Sequence, residues 1–219
     1  FYNIDTLEFI KILFPQFIIV LLILIIIPLI FVKKEPLELK YNDNYQVNNK
    51  KVAVYLAMFV FSLLTIFRVV PIYIGVIVIT LCVLIFDPKA LKTMDWDLLL
   101  TFCAFFVFSG NVKRIGPIKN FLSMMMNKSV LITGLLSCQF ISNVPSAVLL
   151  SSFTDDYRSL VTAVNLGSLG TLISSLASLI TLKIYLKTPK SSFTHYLLLF
   201  TVINLVFLTI LLTYTFIFG

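Results

Sequence analysis

The chain has 219 residues, of which 59% are hydrophobic and only 12% charged, and its mean hydropathy is +1.03. Soluble domains carry about a quarter charged residues, so this composition excludes a secreted disulfide domain, a disordered tail and an ordinary cytosolic enzyme. It identifies an all-α integral membrane protein in contact with lipid, and the net charge of +7 reads as loop lysines rather than as a nucleic-acid footprint.

At roughly 20 apolar residues per span there is room for about six or seven apolar segments. The chain begins at Phe1 without the n-region or cleavage site of a signal peptide, which points to one piece of a longer protein. The first segment, Ile10 to Val32, is an apolar run with Pro15, Gln16 and Pro28 inside it, and it is long enough to span. Residues 1–32 therefore form a first unit. Residues 33–51 are the one long polar stretch, with five Lys and three acids, and the lysine excess places this loop in the cytoplasm.

From residue 52 to 219 the sequence reads as one membrane transport domain. Val52–Val70 and Ile72–Phe86 are apolar and separated by Pro71, which predicts a helical hairpin with a tight turn at Arg68–Pro71. Arg68 sits at a segment end, where its stem can snorkel to the interface. Asp87–Asp97 is a polar link in which Trp96 is an interfacial anchor. Leu98–Val112 follows, ending in Ser109-Gly110-Asn111. Lys113–Asn127 carries Ile115, Ile118, Phe121, Leu122 and Met125 at spacings of three and four, the pattern of an amphipathic helix on the membrane surface. Cys82, Cys103 and Cys138 are isolated in apolar runs, with no CxxC pairing, and read as small apolar fillers.

Two elements carry the functional argument. Val130–Ile141 and Ala147–Phe153 are both too short to cross a hydrocarbon core of ~30 Å at 1.5 Å per residue. Between them lies Ser142-Asn143-Val144-Pro145-Ser146. Pro145 lacks an amide donor and disfavours helix at Val144. Residues 129–154 are thus either a spanning helix kinked at Pro145 or a re-entrant hairpin with a polar tip. Residues 158–186 repeat the pattern: Leu160–Leu166 and Leu172–Leu186 flank Gly167-Ser168-Leu169-Gly170-Thr171. Two Gly within four residues weaken a helix there. Small residues at 163, 167, 170, 171, 174 and 178 also suit close helix packing alone. Thr194–Phe218 is a final long span, with His195 an interfacial residue.

Alternate crossings place ten cationic residues on the cytoplasmic side against seven outside. The result is a multi-pass protein of the cell membrane.

Unwound backbone at membrane depth is costly unless it lines a cavity or meets a ligand. Helix N-termini at such breaks offer amide donors to anions, and C-termini offer carbonyls to Na⁺. The candidate substrate- and ion-binding set is therefore Ser142, Asn143, Pro145 and Ser146 at one break, and Asn165, Gly167, Ser168, Gly170 and Thr171 at the other. A Na⁺ ion would be held at Ser142, Asn143, Gly167 and Gly170. No Asp or Glu occurs in 98–154 or from 157 to the end, so a proton-relay carboxylate has no candidate in this core. Na⁺ is favoured over H⁺ as coupling ion, and no cofactor is implied.

The stretch Gln139-Phe-Ile-Ser-Asn-Val-Pro-Ser-Ala-Val-Leu-Leu with Asn165-Leu-Gly-Ser-Leu-Gly-Thr-Leu-Ile-Ser-Ser-Leu-Ala-Ser-Leu-Ile resembles the C-terminal half of permeases of the ion transporter superfamily. These include arsenite, citrate and divalent-anion:Na⁺ permeases. Met94-Asp-Trp-Asp-Leu-Leu-Leu before Ser109-Gly110-Asn111 is similar to the helix preceding their hairpin. The resemblance implies an inverted-repeat half with one re-entrant hairpin and one discontinuous helix. It implies Ser142 and Asn143 at the hairpin tip and Gly167–Thr171 at the helix break. It also implies a missing N-terminal half and a homodimer as partners. The dicarboxylate branch has Ser-Asn-Thr at the tip. Here Val144 takes the third place, which leans toward the arsenite-permease-like branch. The function read from the sequence is a secondary active transporter of a small inorganic or organic anion. A cation/proton antiporter of the same superfamily and a non-transporting scaffold are the alternatives. An intramembrane enzyme is disfavoured, because no HExxH, Ser/His pair or buried Asp pair occurs.

Overall fold

The computed structural model describes residues 2–31, 49–94, 96–112, 114–189 and 191–218. Most of the polar loop at 33–51 lies outside these, as do Asp95, Lys113 and Lys190. Among the described residues there are eleven α-helices, one 3₁₀ turn and no strand. The helices are α1 (Thr6–Phe31), α2 (Asn49–Ile66), α3 (Ile72–Phe86), α4 (Pro88–Lys92), α5 (Trp96–Val112) and α6 (Gly116–Lys128). There follow α7 (Val130–Ile141), α8 (Asn143–Leu150), α9 (Tyr157–Leu166), α10 (Leu176–Tyr185) and α11 (Phe193–Phe218). Of these, α1, α2 and α11 are long and apolar enough to cross a membrane, while α3, α7 and α10 are apolar but shorter. The chain is an all-helical membrane protein.

Contacts sort the helices differently from the linear sections read in the sequence. One body lies within residues 33–98, and the other joins 1–32 to 99–219. The first helix therefore belongs with the C-terminal helices, because α1 packs on α9 and α11.

In the first body α2 and α3 pack as a hairpin around a turn at Phe67–Pro71, with Arg68 in the left-handed region at φ 60°. Gly75 lets α3 meet Thr65 of α2; a Cβ there would stand 2.6 Å from the threonine side chain. The open end is tied by Tyr55, whose hydroxyl donates to the Asp87 carboxylate at 2.6 Å, with Lys51 at 3.9 Å. The Tyr55 hydrogen bond, reinforced by Lys51, holds the Asp87 carboxyl below its usual range.

In the second body α6 turns from α5 by 92°. It begins at Gly116 rather than Lys113, because Pro117 suits only the first turn of a helix. Its Met126 is buried in a cluster with Cys138, Leu150, Leu160 and Val164, so the run Met124–Met126 is partly core. Ser129 caps α7 by accepting from Ile132 N–H, and Asp156 caps α9 by accepting from Ser159 N–H. Around them, Tyr2 donates to the carbonyls of Ser151 and Thr154, and Glu8 accepts from Tyr157 and Arg158. The helix pair α7 and α9 forms the centre. Gly134 permits their close approach, since a Cβ there would sit 2.6 Å from Ala163 Cβ.

Two outcomes test this packing. Gly134→Val is expected to lower stability by about 1–3 kcal/mol through overpacking against Ala163, read as an earlier thermal unfolding midpoint in detergent. For Asp87 the folded carboxyl titrates below the unfolded one. Its contribution is present above the unfolded value and lost as pH falls through the folded one. Thermal scans from neutral to acidic pH should show a smaller acid-side loss in Tyr55→Phe than in the native chain, since Lys51 still faces Asp87 and Glu8 keeps Tyr157 and Arg158.

Candidate functional site

The site is built where the helical hydrogen-bond ladder stops. In α7–α8 it stops at one residue. Ser142 has φ 70° and ψ 160°, a region essentially reserved for glycine. The chain folds back there. Ser137 and Ser146 are nine positions apart, which a continuous helix would separate by about 14 Å, yet their hydroxyls share a hydrogen bond of 3.0 Å. The segment is a helical hairpin rather than a kinked rod, the shape that the re-entrant alternative requires. The tip is tighter than the five residues read in the sequence, because helix resumes at Asn143. Pro145 fits the first turn of α8, where its missing N–H has no intrahelical partner to lose.

The second interruption is longer than expected. α9 ends at Leu166 and α10 starts at Leu176, with a 3₁₀ turn at Leu172–Ser174 between. Helix does not begin at Leu172 because the Ser174 hydroxyl turns back to the carbonyls of Ser168 (2.8 Å) and Thr171 (2.7 Å). Gly170, at φ 122°, provides a backbone conformation that side chains rarely allow.

The two interruptions meet. The Ser142 hydroxyl donates to the Ser174 carbonyl at 3.4 Å. Gln139, one turn before the tip, reaches into the second break. Its amide nitrogen donates to the carbonyls of Gly167 (2.9 Å) and Leu169 (3.1 Å), and its amide oxygen accepts from Thr171 N–H (2.9 Å). The Thr171 hydroxyl donates to the Gln139 carbonyl at 3.2 Å. Gly167 allows the crossing, since a Cβ there would press on Cys138 at 2.8 Å.

Of the expected residues, Ser142, Asn143, Gly167, Ser168, Gly170 and Thr171 lie along this junction. Asn143, the first residue of α8, accepts from Val144 N–H with its amide oxygen at 2.9 Å. Pro145 and Ser146 are fully buried: the Pro145 carbonyl accepts from Ser109 at 3.5 Å and Ser146 bonds Ser137. They shape the tip rather than present atoms to a solute. The Asn165 amide donates to Val161 O at 2.8 Å, and the residue lines an adjoining groove of 290 Å³ with Gln16, Phe17, Ser168 and Leu211. Gln139 and Ser174 are the residues that sequence reasoning missed. Gln139 stands inside the quoted motif, but nothing in its local pattern marks partners 28 to 32 positions downstream.

Chemically, the junction is neutral. Among the described residues no three His, Cys, Asp or Glu side chains cluster. What it offers is peptide dipoles, two amide side chains and hydroxyls: donors at the start of α8 and carbonyls at the end of α9. That set suits a small ion held by dipoles rather than by a counter-charge.

A family model described as a citrate transporter matches residues 1–156, through the hairpin and up to α9. An uncharacterized transporter of Methanocaldococcus jannaschii is 35% identical over 218 residues, covering 100% of this chain and 59% of that protein. The inner membrane protein YbiR of Escherichia coli is 31% identical over 112 residues, 50% of this chain and 30% of its own length. No solved structure matches. The chain therefore spans less than two thirds of the length of these curated relatives. With most of its length matched by that model, the chain belongs to the citrate transporter family, a family of membrane transporters.

Proposed function

We propose that this chain forms one half of the solute pathway of a secondary active transporter in the cell membrane, moving a small anion coupled to Na⁺ or H⁺. The observation that carries the reading is the meeting of two interrupted membrane segments, through Ser142 with Ser174 and Gln139 with residues 167–171. Interrupted helices at membrane depth are the sites at which transporters hold solutes and coupling ions.

In this reading the start of α8 and the side chains of Ser142, Asn143, Ser168 and Thr171 contact the anion. Na⁺ takes oxygens of Ser142 and Asn143 with the carbonyls of Gly167 and Gly170. Pro145 and Ser146 hold the tip in shape, and Asn165 serves the adjoining groove. Sequence beyond this chain supplies the facing repeat, and a second copy of the protein is its partner.

The substrate class is open to a direct choice. The family description names citrate, whereas Val144 in the third tip position removes a hydroxyl that a carboxylate-binding Ser-Asn-Thr tip would have. We favour an inorganic oxyanion on that ground.

The test is uptake by the full-length protein in proteoliposomes, with labelled citrate and labelled inorganic oxyanions (arsenite, phosphate) offered separately under an imposed Na⁺ or pH gradient. Gradient-driven uptake of an inorganic oxyanion is expected. Asn143→Ala is expected to reduce it about 10- to 100-fold, the loss of one hydrogen bond to a charged solute. Citrate uptake alone would overturn the substrate choice. Na⁺/H⁺ exchange independent of any anion would establish an antiporter instead, and flux untouched by Asn143→Ala would remove the tip from the pathway.

A further inference from the structure

The side chain of Gln139 does more than fill space between α7 and the broken helix. Its amide nitrogen stands among three carbonyl oxygens: Gly167 at 2.9 Å, Leu169 at 3.1 Å and Leu135 at 3.3 Å. Its amide oxygen stands 2.9 Å from a donor, Thr171 N–H. These partners dictate the amide's orientation, because a flipped amide would set oxygen against carbonyl oxygens and nitrogen against a peptide N–H. Gly167, Leu169 and Thr171 are peptide groups that an unbroken helix would have bonded along its own axis.

We infer that Gln139 is the positioning residue of the paired breaks: its one amide replaces the main-chain bonds that the interruption removes, and so fixes which way the peptide groups at 167–171 face. The neighbouring residues are arranged around this. Gly170 carries no Cβ, and one placed there would collide with the Gln139 amide oxygen. Thr171 grips the Gln139 backbone with its hydroxyl, at 3.2 Å. Ser142, three positions on, reaches the far end of the same break at Ser174.

The functional consequence rests on the transport reading: the carbonyls offered to a coupling ion are aimed by Gln139 without Gln139 contacting the solute. The positioning role itself is independent of that reading.

Two substitutions separate this from simple packing. Gln139→Leu keeps apolar bulk but strands two carbonyls and an N–H. Gln139→Glu keeps the shape, but its carboxylate has no hydrogen to give to Gly167 or Leu169 and repels them. Only its acid form can donate. The break should then be held at low pH and released as the carboxyl ionises.

The experiment is hydrogen–deuterium exchange of the full-length protein in nanodiscs, read on peptides covering 167–175 and corrected for the intrinsic pH dependence of exchange. In Gln139→Leu, protection there is expected to fall at least about tenfold, the loss of one hydrogen bond or more, while peptides in α11 keep native protection. In Gln139→Glu, protection at 167–175 is expected to be highest at the acid end of the profile, where the carboxyl is protonated, and to fall as rising pH ionises it. Native protection in Gln139→Leu, or a flat pH profile in Gln139→Glu, would overturn the assignment. Should Gln139→Leu fail to fold, the pH profile of Gln139→Glu decides alone. Exchange is read whether or not the protein moves a solute, so failure of the transport reading and failure of this one are told apart.

Discussion

A peptide group removed from water must find a partner, and in hydrocarbon it has nowhere else to look. The centre of this chain is organised by that constraint. At Ser142 and at residues 167–175 the helical ladder is interrupted, and the groups left over are taken up by side chains: Gln139 and Ser174 at one break, Ser142 between the two, Asn143 at the start of α8. Among the described residues no buried side-chain N or O lacks a partner. Several of the freed main-chain groups, at Gly167, Leu169, Thr171 and Ser174, are thus engaged by side chains. In the proposed transport role, a solute at this junction would exchange with internal donors and acceptors, so its binding would reflect a difference between two sets of hydrogen bonds. Modest net affinity of that origin suits a carrier that has to release what it takes.

Close approach makes these bonds reachable. Gly134 against Ala163 and Gly167 against Cys138 bring α7 and α9 together with almost no side chain between them. Only at that separation does a glutamine from one helix span the break in the other. The small residues that suit tight packing and the polar residues that suit an ion are therefore not rival explanations of the same sequence. The first set creates the distance at which the second set acts. Tyr2, Glu8 and Arg158 then tie α1 and the return loop after α8 to the start of α9.

Much of this was legible in the amino-acid order, for physical reasons. Apolar runs report membrane burial directly, so the class and most helices followed from composition and length. Pro145 and the Gly167–Gly170 pair marked both breaks, since each disfavours the interior of a helix. Their extents were less visible. Proline in a first turn is harmless, which shrank the hairpin tip to Ser142. A serine hydroxyl folding back on Ser168 and Thr171 competes with helix, which carried the second break on to Ser175. Gln139 was invisible as a functional group because its partners are remote in sequence. Ser146 and Asn165 carry the right atoms, but burial against Ser137 and back-bonding to Val161 commit them elsewhere. The grouping of α1 with the C-terminal helices was also out of reach, because an all-round apolar helix does not declare its neighbour.

The backbone at Ser142 has one further implication. Its φ of 70° with ψ of 160° suits glycine, and holding serine there costs on the order of 1–3 kcal/mol. Glycine would relax the turn and delete the hydroxyl that reaches Ser174. A sequence drifting toward greater thermal robustness would therefore be drawn to glycine at this position. Retention of serine there would be the mark of selection acting on the oxygen against the fold's own preference, a local trade between durability and work.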